Sequence, residues 1–84
     1  MIVIDARQWE PPRPFEETME ALCRLRPGEK VRLIIGREPL PLYRVLDQNG
    51  YVFFTAVRDD GCYEVDICMR SGDDANGAAD ESGE

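Results

Sequence analysis

The sequence predicts an α/β (α+β) two-layer sandwich, βαβαββ, in which a four-stranded mixed sheet carries two helices on one face. Apolar residues recur at intervals of three and four from Phe15 to Leu25, the spacing of one helix face. They alternate at an interval of two over Glu29–Ile35 and again over Tyr63–Met69, the spacing of half-buried strands. Pro-Gly, Asn-Gly and Asp-Gly steps separate the runs. At 84 residues there is room for one domain, placed over 1–70, with an acidic tail over 71–84.

Ile2 to Ile4 are all β-branched and read as a short strand running into Asp5. Successive prolines force extended geometry on Ala6 to Arg13. Pro14 suits the first position of a helix, because its missing N–H costs nothing there. The helix is expected from Pro14 to Leu25, with Glu16 and Glu17 in its first turn and Phe15, Thr18, Met19, Leu22 and Leu25 on its apolar face. Arg24 and Arg26 complement its end, and Pro27-Gly28 stops it. In the strand Glu29–Ile35, Val31, Leu33 and Ile35 face the core and Lys30, Arg32 and Ile34 face the other way. Pro39-Leu40-Pro41 opens a second helix with Leu42, Val45 and Leu46 inward and Asn49-Gly50 as its cap. Tyr51–Val57 is rich in β-formers but apolar on both sides, so its orientation stays open. Asp60-Gly61 turns a hairpin into the last strand, where Tyr63, Val65, Ile67 and Met69 alternate with Glu64, Asp66, Cys68 and Arg70. The first two strands, joined through a helix, should run parallel by a right-handed crossover. The tail has no large apolar residue and reads as disordered.

Net charge is −7, unevenly spread: residues 1–70 hold 12 acids and 10 bases, and 71–84 hold five acids and no base. The near-neutral domain offers no large basic footprint, so neither a nucleic acid nor an anionic membrane is an expected partner. No apolar stretch approaches the ~20 residues of a membrane helix, and the opening residues lack the basic flank of a signal peptide. Three cysteines at no disulfide or metal spacing fit a reducing compartment, so a cytoplasmic location is expected. A core this small also suits a monomer or a weak homodimer. There is no histidine, which removes Ser–His and Cys–His pairs and imidazole metal sites. Asp59-Asp60 and Asp73-Asp74 are neighbours in a turn and a tail, and no Gly-rich phosphate loop is present. The expectation is a protein that is not an enzyme and needs no metal or cofactor.

The segment Asp5-Ala6-Arg7-Gln8-Trp9-Glu10-Pro11-Pro12-Arg13-Pro14, with the element order, resembles the TusA/SirA-like family of small bacterial sulfur carriers over residues 2–70. That family opens its first helix with Cys-Pro-x-Pro after an Asp and a glycine-containing turn. Pro12-Arg13-Pro14 matches the Pro-x-Pro, and Pro27-Gly28-Glu29 matches the link to the second strand. The resemblance implies a sheet whose last strand is central and antiparallel to the others. The persulfide cysteine would stand at position 11, where this chain has Pro11, and the turn glycine at Gln8. Proline has no nucleophile, so the loop cannot hold sulfur in the family's way. The Pro-Pro-x-Pro form resembles an uncharacterised branch, a domain of unknown function lacking the carrier cysteine. Arg37-Glu38-Pro39-Leu40-Pro41-Leu42-Tyr43 keeps that branch's prolines and tyrosine, with Arg37 in place of a histidine. The branch's company implies a link to redox or anaerobic respiratory metabolism.

Three groups of residues are candidates for function. The loop with Arg7, Trp9, Pro11, Pro12 and Pro14 offers a rigid aromatic-bearing surface to another protein, or else only fixes the entry to the helix while Trp9 packs on the core. Arg37, Tyr43 and Arg44, with Arg7, stand near both helix N-termini and form a possible anion or partner site, or else scattered surface charge. Cys68 and Cys62 are the alternative sulfur-bearing thiols, Cys68 on the side away from the helices near Arg70 and Arg32. Their ~20 Å separation along a strand forbids pairing. Cys23 reads as packing. A non-catalytic accessory or protein-binding module is the expected function, with sulfur relay by Cys68 or Cys62 as the alternative. RNA binding on the open sheet is opposed by the charge and the few outward aromatics.

Overall fold

The computed structural model describes residues 1–70; the tail expected over 71–84 lies outside the described residues. Its elements are β1 (Ile2–Asp5), α1 (Arg13–Cys23), β2 (Lys30–Ile35), α2 (Leu40–Gln48), β3 (Tyr51–Val57) and β4 (Tyr63–Met69). The sheet order is β1-β2-β4-β3. β1 runs parallel to β2, and β4 is central and antiparallel to both neighbours. The mixed sheet and the βαβαββ order are those expected.

The period of two places the core. Ile4, Val31, Leu33, Val65 and Ile67 project from one face of three adjacent strands and are buried under Ala21 and Leu22 of α1 and Leu42 and Leu46 of α2. Leu33, Leu46 and Ile67 are fully enclosed, each contributing about 1.5–3 kcal/mol. The same face continues onto β3 through Tyr51 and Phe53, which settles the strand the sequence could not orient: Tyr51, Phe53, Thr55 and Val57 point to the helix side and Val52, Phe54 and Ala56 away. α2 packs on β3, yet Phe54 to Val57 remain exposed at the sheet edge.

Several local expectations need correction. α1 starts one residue before Pro14 and stops at Cys23, because the last turn tightens: the Arg24 N–H donates to the Ala21 carbonyl and the Leu25 N–H to the Leu22 carbonyl. Arg24 and Arg26 therefore lie beyond the helix, and only Glu16 is an acid in its first turn. The inward stripe is Pro14, Thr18, Ala21 and Leu22; Phe15 lies about 100° further round the helix and is exposed. Cys23 is exposed and does not pack. Cys62 precedes β4, in the turn where Gly61 takes φ 84°.

Among the described residues no helix covers the other face, but charges do. Asp5, Arg7, Asp60, Arg58, Glu64, Arg32 and Asp66 form one alternating chain of ion pairs with links of 2.7, 3.1, 3.5, 3.1, 3.1 and 2.8 Å. β4 supplies Glu64 and Asp66 and β2 supplies Arg32 at the matching register, Arg32 opposite Asp66. Each exposed pair is worth little alone. Together they give this face a nearly balanced, strongly hydrated surface.

Candidate functional site

The loop after β1 and the loop after β2 leave the sheet at the same end, since the two strands are parallel neighbours. Each loop leads into a helix whose first turn holds a proline and whose N-terminus has no side-chain cap. Between them lies a cleft of about 630 Å³. Trp9, Pro11, Pro12, Pro14 and Phe15 form one wall, and Arg37, Glu38, Pro39 and Pro41 the other, over a floor of Leu33 and Ile35. The prolines limit the conformational freedom that a bound partner would otherwise have to freeze.

Trp9 is half-buried. It packs against the core and lines the cleft, and the Arg13 guanidinium sits 4.1 Å from its ring centroid. Such a cation–π contact fixes the indole face at an exposed site. Its N–H donates to the carbonyl of Ala6 through the backbone at 3.2 Å, which closes the turn that carries it.

Arg7 lines the cleft with its charge already committed. Its Nε and one terminal nitrogen donate to Asp5 at 2.9 and 2.7 Å, and the other donates to Asp60 at 3.1 Å. These hydrogen bonds hold the Asp5 carboxyl down at about 2 and push the guanidinium higher still. Asp60 is lowered first by the Cys62 backbone N–H and also by Arg7. Arg7 is thus a clamp between the first loop and the β3–β4 hairpin.

Arg37 lines the cleft and has no ion pair among the described residues. The structure does not bring Tyr43 or Arg44 to it. The Tyr43 ring stacks on Phe53, 4.4 Å between centroids and 8° apart. Its hydroxyl lies 2.6 Å from Thr55 Oγ1 and donates to Glu38 at 3.2 Å. Burial, with Glu38 beside it, raises its pKa. Arg44 stands two positions from inward Leu42, about 200° round the helix, and is exposed. The arginine cluster therefore reduces to Arg37 and a neutralised Arg7.

The thiols lie elsewhere. Cys68 is on the uncovered face, in register with Lys30 and Val52. The two arginines expected near it are otherwise engaged: Arg32 with Asp66 and Glu64, and Arg70 with Asp47 at 3.4 Å. Cys62 donates its backbone N–H to Asp60 at 3.0 Å. Among the described residues, no group of three or more His, Cys, Asp or Glu side chains could hold a metal.

Residues 3–68 match the model of a family described as an uncharacterized conserved protein, DUF2249. The chain belongs to the DUF2249 family. No curated protein matches it. Among solved structures, this DUF2249 chain is similar to the SirA-like protein from Desulfitobacterium hafniense, with a TM-score of 0.75 and 26% identity over 84% of this chain and 100% of that one. The fold of this DUF2249 member is therefore SirA-like, and both halves of the resemblance carried by residues 5–14, the fold and the uncharacterised branch, are found. No helix among the described residues is long and apolar enough to cross a membrane.

The sequence reading missed Glu10, Phe15, Glu38 and the second pair of prolines as cleft residues. Pro39 and Pro41 carried a signal, since they repeat the proline opening of α1, but it served only to place a helix. Asp60 carried none: it reaches Arg7 from 53 residues away and was legible only as a turn residue.

Proposed function

We propose that this DUF2249 member is a non-catalytic accessory module that binds another protein through the proline-walled cleft. The observation that carries the reading is the composition of that cleft. It has an aromatic anchor in Trp9, a second ring in Phe15, five prolines, Arg37 and the carboxylates of Glu10 and Glu38, with no thiol or imidazole. Rigid, mostly apolar walls with a few fixed charges favour recognition of a preformed segment over chemistry on it. Pro11 occupies the position where the resembling carriers hold their persulfide cysteine, so the loop keeps its shape without a nucleophile. The proposed setting is the bacterial cytoplasm. A role beside redox or anaerobic respiratory proteins rests on the resemblance alone.

Photo-crosslinking in cells that express the full chain tests the proposal. Benzoylphenylalanine at Glu10 stands beside the cleft, and at Lys30 it stands on the uncovered face. One defined protein should be captured from position 10 and not from position 30, and adding Trp9→Ala should abolish the capture. Equal capture from both positions, or capture indifferent to Trp9, would remove the cleft as the docking site. A parallel incubation with a cysteine desulfurase and cysteine, read by intact mass, separates the sulfur-relay alternative. A gain of one sulfur that disappears in Cys68→Ser or Cys62→Ser would replace the binding-module reading.

A further inference from the structure

β3 is an edge strand, and its pairing with β4 fixes which backbone groups face outward. The Arg70 N–H donates to Gly50 at 2.8 Å and the Arg58 N–H donates to Cys62 at 2.7 Å. Both bonds continue the register that pairs Tyr51 with Met69 and Val57 with Tyr63. Bonded pairs recur at every second residue of an antiparallel ladder. Val52, Phe54 and Ala56 therefore turn their N–H and C=O groups to β4. Tyr51, Phe53, Thr55 and Val57 turn theirs to the open edge.

We propose that a second copy of this chain pairs with that edge, antiparallel about a two-fold axis at Phe54, joining the two sheets into one. In this register Tyr51 lies opposite Val57 of the second copy, and Phe53 lies opposite Thr55 of the second copy. All four outward residues then exchange both hydrogen bonds. Phe54 meets Phe54 of the second copy in the unbonded pair on the axis, where facing side chains approach most closely.

Charge selects this occupant. None of residues 51–57 is charged, so self-pairing sets no like charges opposite each other. Natural edges are blunted by lysine, proline, a bulge or shortness, and β3 has no charge or proline across seven residues. The opposite edge, β1, is four residues long and ends in Asp5. The uncovered face is laid with the ion-pair chain, which disfavours stacking face to face. The two side chains left most open, Phe54 at 74% and Val57 at 69%, are those the pairing would place against Phe54 and Tyr51 of the second copy. The interface is isologous and closes on itself, giving a dimer and no filament.

Sedimentation velocity of the full chain from about 5 μM to about 1 mM spans the range expected of a weak pairing. The proposal expects a concentration-dependent dimer. Phe54→Lys and Phe54→Glu should each be monomeric across that range, and an equimolar mixture should restore the dimer. Both substitutions are at an exposed position, so each monomer should keep the parent circular dichroism spectrum. In the unaltered chain, amide exchange at Tyr51, Phe53, Thr55 and Val57 should slow by about tenfold or more on concentration. Val52, Phe54 and Ala56 should be protected throughout. A monomer up to about 1 mM, a dimer that persists in Phe54→Lys, or new protection confined to β1 or the uncovered face would each overturn it.

Discussion

Thr18 is fully enclosed on the inward side of α1, with 0% of its surface exposed, and its Oγ1 has no hydrogen-bond partner among the described residues. A buried hydroxyl left unpaired costs about 1–3 kcal/mol. Thr18→Val replaces that oxygen with a methyl of nearly the same volume, keeps the β-branch, and leaves helix propensity almost unchanged. Thr18 shares the buried stripe of α1 with Pro14, Ala21 and Leu22, the stripe that faces the apolar core, so the new methyl enters an apolar setting. Allowing for imperfect fit, a gain of about 1 kcal/mol is expected. In a domain of this size that corresponds to a rise of about 4–8 °C in Tm. Urea unfolding, with coincident fluorescence and circular dichroism transitions, measures it as a higher midpoint at unchanged slope. Thr18→Ala is the control. It removes hydroxyl and methyl together, opens a void, and should fall about 1–3 kcal/mol below Thr18→Val. A valine variant less stable than the parent would refute the reasoning. It would mean that the hydroxyl is bonded, with the Pro14 carbonyl one turn back as the acceptor such a threonine ordinarily uses.

Three further outcomes follow from the ion pairs and the turns. The Asp5 carboxyl should titrate near 2 against 3.8 for an unperturbed Asp. Its folded pKa is the lower one, so its contribution is complete above about pH 4 and is lost as the pH falls toward 2. Carbon-detected titration of Asp5 in Arg7→Gln should return the midpoint toward the ordinary value. Arg32→Gln leaves Asp66 without its partner and Glu64 with Arg58 alone, and should lower the urea midpoint slightly, by less at high salt. Gly50 takes φ 83° with nothing within 4 Å of an added Cβ, so Gly50→Ala should cost only the left-handed backbone penalty of about 1–2 kcal/mol. A thermal melt checks this, and Gly50→Asn should lose less.

The order of elements and the core were legible because they depend on local periods. Val31, Leu33, Val65 and Ile67 alternate in the sequence and are buried in the structure for that reason alone. The ends of α1 were less legible: Phe15 and Leu25 continue an apolar spacing that the helix does not use. Phe15 turns to the cleft, and Leu25 packs on the core from beyond the helix end. β3 could not be oriented from its residues because both its faces are apolar; only its register with β4 decides it. The site was half visible. The proline loop announces itself, whereas the engagement of Arg7 by Asp60 and of Tyr43 by Phe53 and Thr55 depends on contacts between distant segments that no local pattern encodes.

On the proposed reading, that difference explains why the loss of a cysteine need not dismantle the site. The cleft is shaped away from residue 11: by two parallel strands ending side by side, two proline-opened helices, and a loop held by the Arg7 side chain against the hairpin. None of these requires a thiol at position 11. Removing the nucleophile leaves a preorganised concave surface whose remaining chemistry is apolar contact and the charges of Arg37, Glu10 and Glu38. Such a surface can gain specificity only through what fits it. The Arg7 clamp also ties the cleft to the β3–β4 hairpin, whose strand β3 forms the edge assigned to the second copy. Dimer formation would therefore steady the hairpin that carries Asp60 and, through Arg7, one wall of the cleft. A partner that binds the cleft should in turn favour the dimer, since any such coupling acts equally in both directions.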